Sequence, residues 1–144
     1  MEKIYCDTNV YIDALQLGKP TKVKCGNFSD FAWMFFERVM NGEYILVTSS
    51  WVFDEFKKVV GTNEKLHELL EGIENSNKIH INEQNTHKNE ARQLSKSNFA
   101  DARHVILAKH SGAIIITTRN IKDFVEFDEY LEKHCIQLLK PENI

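Results

Sequence analysis

The run Ala113-Ile114-Ile115-Ile116-Thr117 constrains this chain more than any other stretch. Three consecutive isoleucines suit a strand covered on both faces, and such strands belong to parallel sheets flanked by helices. Four other short runs have strand character: Lys3–Cys6, Tyr44–Thr48, Lys78–Ile81 and Ile136–Leu139. Helical patterns separate them. This alternation predicts an α/β fold, a central parallel sheet of about five strands with helices on both faces. With no linker, repeat or compositional break, the 144 residues read as one domain spanning 1–144.

The helices carry their own signals. A first helical stretch follows Asp7 to about Leu17, and Gly18-Lys19-Pro20 opens a loop that lasts to Asn27. Ser29 to Met40 is amphipathic, with Phe31, Phe35 and Val39 on one face, Met34 beside them, and Asn41-Gly42 as the stop. Its aromatics (Phe28, Phe31, Trp33, Phe35, Phe36) read as core or a subunit interface. Ser49 or Ser50 caps a helix bearing Val52, Phe56, Val59 and Val60, which Gly61 ends. Leu66, Leu69, Leu70 and Ile73 mark the next. Glu83 to Lys96 is polar but helix-prone, Asn98 opens a helix closed by Gly112, and Asn120 to about Lys133 reads as one or two short helices.

Composition removes several classes. Hydrophobic residues at 42% and charged residues at 27% exclude a disordered chain. No apolar run approaches the ~20 residues of a membrane span. The opening MEKIYCDTNV lacks a basic segment followed by a long apolar one, so no secretory leader is expected. Cys6, Cys25 and Cys135 show no metal-binding spacing and suit reduced thiols, which points to the cytoplasm. The six histidines form no HxxxH or HxH pair, so no zinc site is expected. A net charge of −3 excludes a strongly basic DNA-coating protein but not a nuclease.

Four acids fall at element junctions. Asp7 follows the first strand. Glu55 lies one turn into the helix after the second. Asp101 opens the helix before the isoleucine strand, and Asp123 lies in the first turn after it. Open α/β sheets bind ligands at the carboxyl ends of their strands. Asp101 joins the other three only if its helix starts at that edge. Helix capping accounts for each acid singly, since Asp7 suits an N-cap and Asn98-x-x-Asp101 and Asn120-x-x-Asp123 resemble capping boxes. Capping does not require an acid at four successive junctions. Two carboxylates ~5 Å apart repel by about 3 kcal/mol at an effective dielectric of 20. A hard divalent cation is the natural counter-charge, and all-oxygen ligands suit Mg²⁺ or Mn²⁺. Such ions at a carboxylate cluster support phosphodiester hydrolysis.

Four segments also resemble, in order, the motifs of PIN domains. They are Ile4-Tyr5-Cys6-Asp7-Thr8-Asn9, Thr48-Ser49-Ser50-Trp51-Val52-Phe53-Asp54-Glu55, Asn98-Phe99-Ala100-Asp101-Ala102-Arg103-His104, and Ala113 to Thr117 followed by Thr118-Arg119-Asn120-Ile121-Lys122-Asp123. The closing Ile136 to Glu142 fits the same pattern, in the style of the toxin ribonucleases of toxin–antitoxin pairs. The resemblance covers nearly the whole chain. It implies a metal-dependent endoribonuclease acting on RNA, often a homodimer and often paired with an antitoxin protein. Its metal ligands map to Asp7, Glu55, Asp101 and Asp123, with Asn120 as the alternative to Asp123. Thr118 and Asn120 join the substrate-contacting candidates on the same basis.

The remaining candidates come from the residues themselves. Thr8 and Asn9 can position a phosphate or a metal-bound water. Arg103, Arg119 and Lys122 flank the acids and can hold phosphates. His104 follows Asp101 by three residues and reads foremost as a packed or exposed helix histidine, with a general-base role as the other option. Asp13 and Asp54 read as structural or solvated. Two rival functions stand beside the nuclease. One is a non-catalytic interaction module that uses 18–43 as a contact surface. The other is a phosphoaspartate receiver, weakened because only Asp7 follows the first strand and Thr117-Thr118-Arg119 stands where a lysine is needed.

Overall fold

The structure, a computed structural model, describes residues 1–17 and 28–144. The loop expected over 18–27, its Gly18-Lys19-Pro20 signal, Cys25 and the side chain of Phe28 lie outside the described residues.

Five strands form one sheet: β1 (Lys3–Cys6), β2 (Ile45–Ser49), β3 (Lys78–Ile81), β4 (Ile115–Thr117) and β5 (Gln137–Leu139). All neighbouring pairs are parallel, in the order β3-β2-β1-β4-β5. Among the described residues seven α-helices surround it: α1 (Thr8–Ala14), α2 (Phe28–Met40), α3 (Ser50–Val60), α4 (Glu64–Glu71), α5 (Asn85–Leu94), α6 (Phe99–Ser111) and α7 (Asp128–Lys133). A 3-10 segment, Ile121–Phe127, precedes α7. Right-handed crossovers assign α1 to α4 to one face and α5 to α7 to the other. The packing of α1 on α2 and α3, and of α5 on α6, follows that division.

The expected fold class holds, with local differences. The isoleucine run is buried at Ala113, Ile115, Ile116 and Thr117, while Ile114 is 40% exposed, because the run enters the sheet at its amino edge. On α2 the buried face is Ala32, Phe35, Phe36 and Val39; Phe31, Trp33 and Met34 are exposed. A stripe at i, i+3, i+4 and i+7 explains this better than the Phe31-Phe35-Val39 stripe. Val59 of α3 is also exposed, and Val52 and Phe56 carry that helix's packing.

This topology explains where a site can form. The chain winds from β1 through β2 to β3 on one side, then returns to place β4 on the other side of β1. The β1–β4 boundary is the switch point where the carboxyl ends open a crevice. Helix α6, which leads into β4, runs antiparallel to the strands and begins at the carboxyl edge without any special bend. The indole N–H of Trp51, at the start of α3, donates to the Ala100 carbonyl at 3.0 Å and ties the two helix starts together.

Candidate metal centre

Asp7 leaves β1 and becomes the N-cap of α1. Its backbone N–H donates to the Thr117 carbonyl of β4 at 2.9 Å, holding the turn at the switch point. Its carboxylate accepts three hydrogen bonds. Oδ1 accepts from the Thr8 backbone N–H at 2.7 Å, and Oδ2 accepts from the Thr118 hydroxyl at 2.7 Å and the Asn9 amide at 3.2 Å. The N-cap reading of Asp7 is borne out, and the capping carboxylate also lines the cavity described below.

Glu55 reaches the same place from α3, whose N-cap is Ser49: the Ser49 hydroxyl accepts from the Val52 N–H at 3.1 Å. Glu55 Oε1 accepts from the Thr8 hydroxyl at 2.6 Å. Asp101 arrives from the first turn of α6. Together with Thr8, Asn9 and Asn120, these three acids line one cavity of about 190 Å³.

His104, one turn beyond Asp101, is fully buried beneath the acids. Its Nε2 lies 2.5 Å from Glu55 Oε1 and 3.2 Å from Asp7 Oδ1. Its Nδ1 lies 2.7 Å from the Tyr5 hydroxyl, which in turn lies 2.8 Å from the Ser49 hydroxyl. One donor atom each from Asp7, Glu55 and His104 lies within 4.8 Å of the others, so the three form a group that could hold a metal ion. Sequence reasoning treated His104 mainly as a packed helix residue. It is packed, but onto the acids, and the available signal was its i, i+3 relation to Asp101 at a helix start.

The electrostatics follow from three acids sharing little positive charge. Burial, with the neighbouring Asp7 carboxylate, pushes Asp101 up to about 6. Burial also raises Asp7, against the pull of His104 and Thr118. Burial raises Glu55, but the hydrogen bonds of His104 and Thr8 and the charges of His104 and Arg103 together leave it lowered. Burial disfavours the imidazolium of His104, yet the charges of Asp7, Glu55 and Asp101 leave it raised overall. Burial keeps the Tyr5 phenol protonated, well above its ordinary range.

Other expected site residues lie elsewhere or are engaged. Asp123 is exposed and is not among the residues lining the cavity; its backbone carbonyl accepts from the Asn98 amide at 2.8 Å. Asn120 lines the cavity instead, because the chain turns into the 3-10 segment directly after it and carries Asp123 past the crevice. Neither Asn98 nor Asn120 caps its helix through a side chain, so the two suspected capping boxes are not formed. Arg103, expected to face phosphate, pairs with Glu83 through Nε at 2.8 Å and stacks 3.4 Å over the Trp51 ring. Arg119 donates from NH1 to both Glu142 oxygens, at 2.6 and 2.8 Å, and lies 3.4 Å from Asp13. Its backbone N–H donates to the Asn9 side chain, so its role here is to brace the site. Lys122 is exposed, and Thr118 is buried against Asp7.

No family model matches the chain, and no curated protein matches it.

Proposed function

We propose that the chain is a metal-dependent endoribonuclease that hydrolyses RNA phosphodiester bonds at the carboxyl edge of its sheet. The observation that carries this reading is the convergence of Asp7, Glu55 and Asp101 on one cavity at the switch point, from three helices far apart in sequence. The donor set fits a divalent cation. Two of its acids stand with raised pKa values, and among the described residues His104 supplies the one imidazole of the group. Asp7, Glu55 and Asp101 would hold Mg²⁺ or Mn²⁺. When bound there, such an ion supplies Lewis-acid polarisation of a phosphoryl oxygen and an acidified water.

The protein's own groups divide the remaining work. Thr8, Asn9 and Thr118 fix the orientation of Asp7, so its lone pairs are aimed before any ligand arrives. Glu55, less buried and tied through one oxygen, is placed to accept a proton from an attacking water. Asn120, exposed at the rim, can donate its amide to a phosphate oxygen. The choice of RNA rests on the ordered PIN-like segments, with which a five-stranded parallel sheet agrees. The same resemblance supports a toxin of a toxin–antitoxin pair or an RNA-processing nuclease, acting as a homodimer in the cytoplasm.

The test is cleavage of a labelled RNA by purified protein. Activity is expected with Mn²⁺ or Mg²⁺, lost in EDTA, and reduced roughly 100-fold or more by Asp101→Asn. Undiminished cleavage by that variant would overturn the reading. A second reading, a non-catalytic interaction module, is favoured by the exposure of Phe31, Trp33 and Met34 on α2. Calorimetry in which neither Mg²⁺ nor Mn²⁺ binds would select it.

A further inference from the structure

We infer that His104 Nε2 is itself a metal ligand beside the carboxylates, so that the centre is a mixed carboxylate–imidazole site that prefers Mn²⁺, Co²⁺ or Zn²⁺ to Mg²⁺. The inference rests on the metal-site reading above and deepens it.

Ligand atoms on adjacent corners of an octahedral ion, bonded at about 2.1 Å, stand about 3 Å apart. Asp7 Oδ1 and His104 Nε2 already stand 3.2 Å apart. Glu55 Oε1 sits at 2.5 Å from the same nitrogen and has to withdraw by about half an ångström to make room. It is the one member of the three that can do so. Its side chain is 23% exposed, against 7% for Asp7 and none for His104.

The far side of the imidazole is prepared for this role. A metal-bound histidine normally donates its other ring N–H to a fixed acceptor, which sets the tautomer. Here Nδ1 meets the Tyr5 hydroxyl, and Tyr5 meets Ser49. If Nδ1 carries the proton, it donates to Tyr5 Oη, which passes its own hydrogen to Ser49 Oγ. The Nε2 lone pair then faces Asp7 and Glu55. If Nε2 carries the proton, it donates to Glu55, and the two hydroxyls rotate so that Ser49 donates to Tyr5 and Tyr5 to Nδ1. The same heavy atoms satisfy both arrangements, so the imidazole can change from bridging the acids to ligating an ion without repacking. A nitrogen donor disfavours Mg²⁺, which demands oxygen and gives up water reluctantly, and suits the later divalent ions.

The experiment uses the full chain stripped of metal, with Mn²⁺ alone as the first probe. Pulsed electron paramagnetic resonance of the bound ion is expected to show ¹⁴N coupling from an imidazole. That coupling should change to the ¹⁵N pattern when the wild-type protein is grown with ¹⁵N-histidine, a readout that needs no variant. His104 is the one histidine in the metal-capable group among the described residues. His104→Gln should abolish the coupling and weaken Mn²⁺ binding at least about 10-fold. Titration calorimetry should rank Co²⁺ and Zn²⁺ above Mg²⁺ in the wild type. Bound Mn²⁺ with no nitrogen coupling, or Mg²⁺ held as tightly as Co²⁺, overturns this inference and leaves the metal site standing. Failure of every cation to bind overturns the metal site itself, and this inference with it.

Discussion

Thr118 and Arg119 are consecutive, yet they serve two acid groups that are neutralised in opposite ways. Thr118 bonds Asp7, which with Glu55 and Asp101 makes three acids around one imidazole. Arg119 bonds Asp13 and Glu142, two acids around one guanidinium that never loses its charge. A third acid, Glu83, pairs directly with Arg103, which is nearly buried and stacked on Trp51 and whose charge also reaches Glu55. Acids with a dedicated arginine hold elements together. Acids left short of positive charge are costly to bury and are retained where a cation is to be bound.

Exchanging the chemistry of the two groups should break the comparison most sharply. Asp7→Asn keeps the size of the side chain and several of its hydrogen bonds but removes its charge. RNA cleavage is expected to fall roughly 100-fold or more while the circular dichroism spectrum is unchanged. Asp13→Asn should leave cleavage within about 2-fold, since it removes one acid that Arg119 already neutralises. Equal losses in the two variants would show that the division between the groups is false.

Arg119→Met tests the other side. Its loss leaves Asp13 and Glu142 partly buried without their cation. Breaking a buried pair costs about 3–5 kcal/mol, and the partial exposure here brings the expected destabilisation to about 2 kcal/mol. Urea denaturation measures it. Mn²⁺ affinity should be much less affected than by Asp7→Asn.

The sequence showed the two groups unequally. The five strands and the three acids that converge were legible because each carries a local signal, an apolar run, an acid closing such a run or an acid near a helix start, whereas the order of the strands in the sheet was not read. Helix α6 needed only the rule that a helix linking parallel strands runs antiparallel to them. The arginines were misleading. Arg103 and Arg119 stand beside the acids in sequence, but their long side chains reach Glu83 and Glu142, 20 and 23 residues away. Such pairings are tertiary and leave no local pattern. His104 was visible but undervalued, because its partner Tyr5, and the Ser49 that Tyr5 meets in turn, come from strands β1 and β2, 99 and 55 residues earlier. The resemblance put Asp123 ahead of Asn120 as the fourth ligand, whereas the backbone path after Thr118 puts Asn120 at the cavity.

The same contrast fixes the sign of the pH dependence. Asp101 holds its proton up to about 6 in the folded protein, above its unfolded value near 4. The stability linked to it is therefore present at low pH and is lost as pH rises from about 4 through 6. His104 is also raised, so its contribution is full below about 6.5 and is lost as pH rises through its folded value. Glu55, being lowered, acts oppositely and loses its contribution as pH falls below about 4.5. In EDTA, thermal denaturation should give a higher midpoint at pH 5.5 than at pH 8. Asp101→Asn should flatten that difference. Mn²⁺ should reverse it, because the ion competes with the same protons. A midpoint in EDTA that climbs toward pH 8 would show that the acids are already neutralised without an ion.

The smallest effect should come at the rim, where Asn120 and Asp123 compete for the fourth place. Asp123→Asn removes an exposed charge outside the cavity, so Mn²⁺ affinity should change by less than about 2-fold. Asn120→Asp adds a carboxylate to the cavity wall. It should tighten Mn²⁺ binding several-fold and, in EDTA, lower the thermal midpoint at pH 8 by adding a fourth uncompensated acid. The two effects have opposite signs and one origin, since a charge that repels its neighbours in the empty cavity attracts the ion. Calorimetry and denaturation of the same variant read both. If Asp123→Asn proved the more damaging to affinity, the 3-10 segment would have to fold its acid inward when the ion binds, and the uncompensated group would number four.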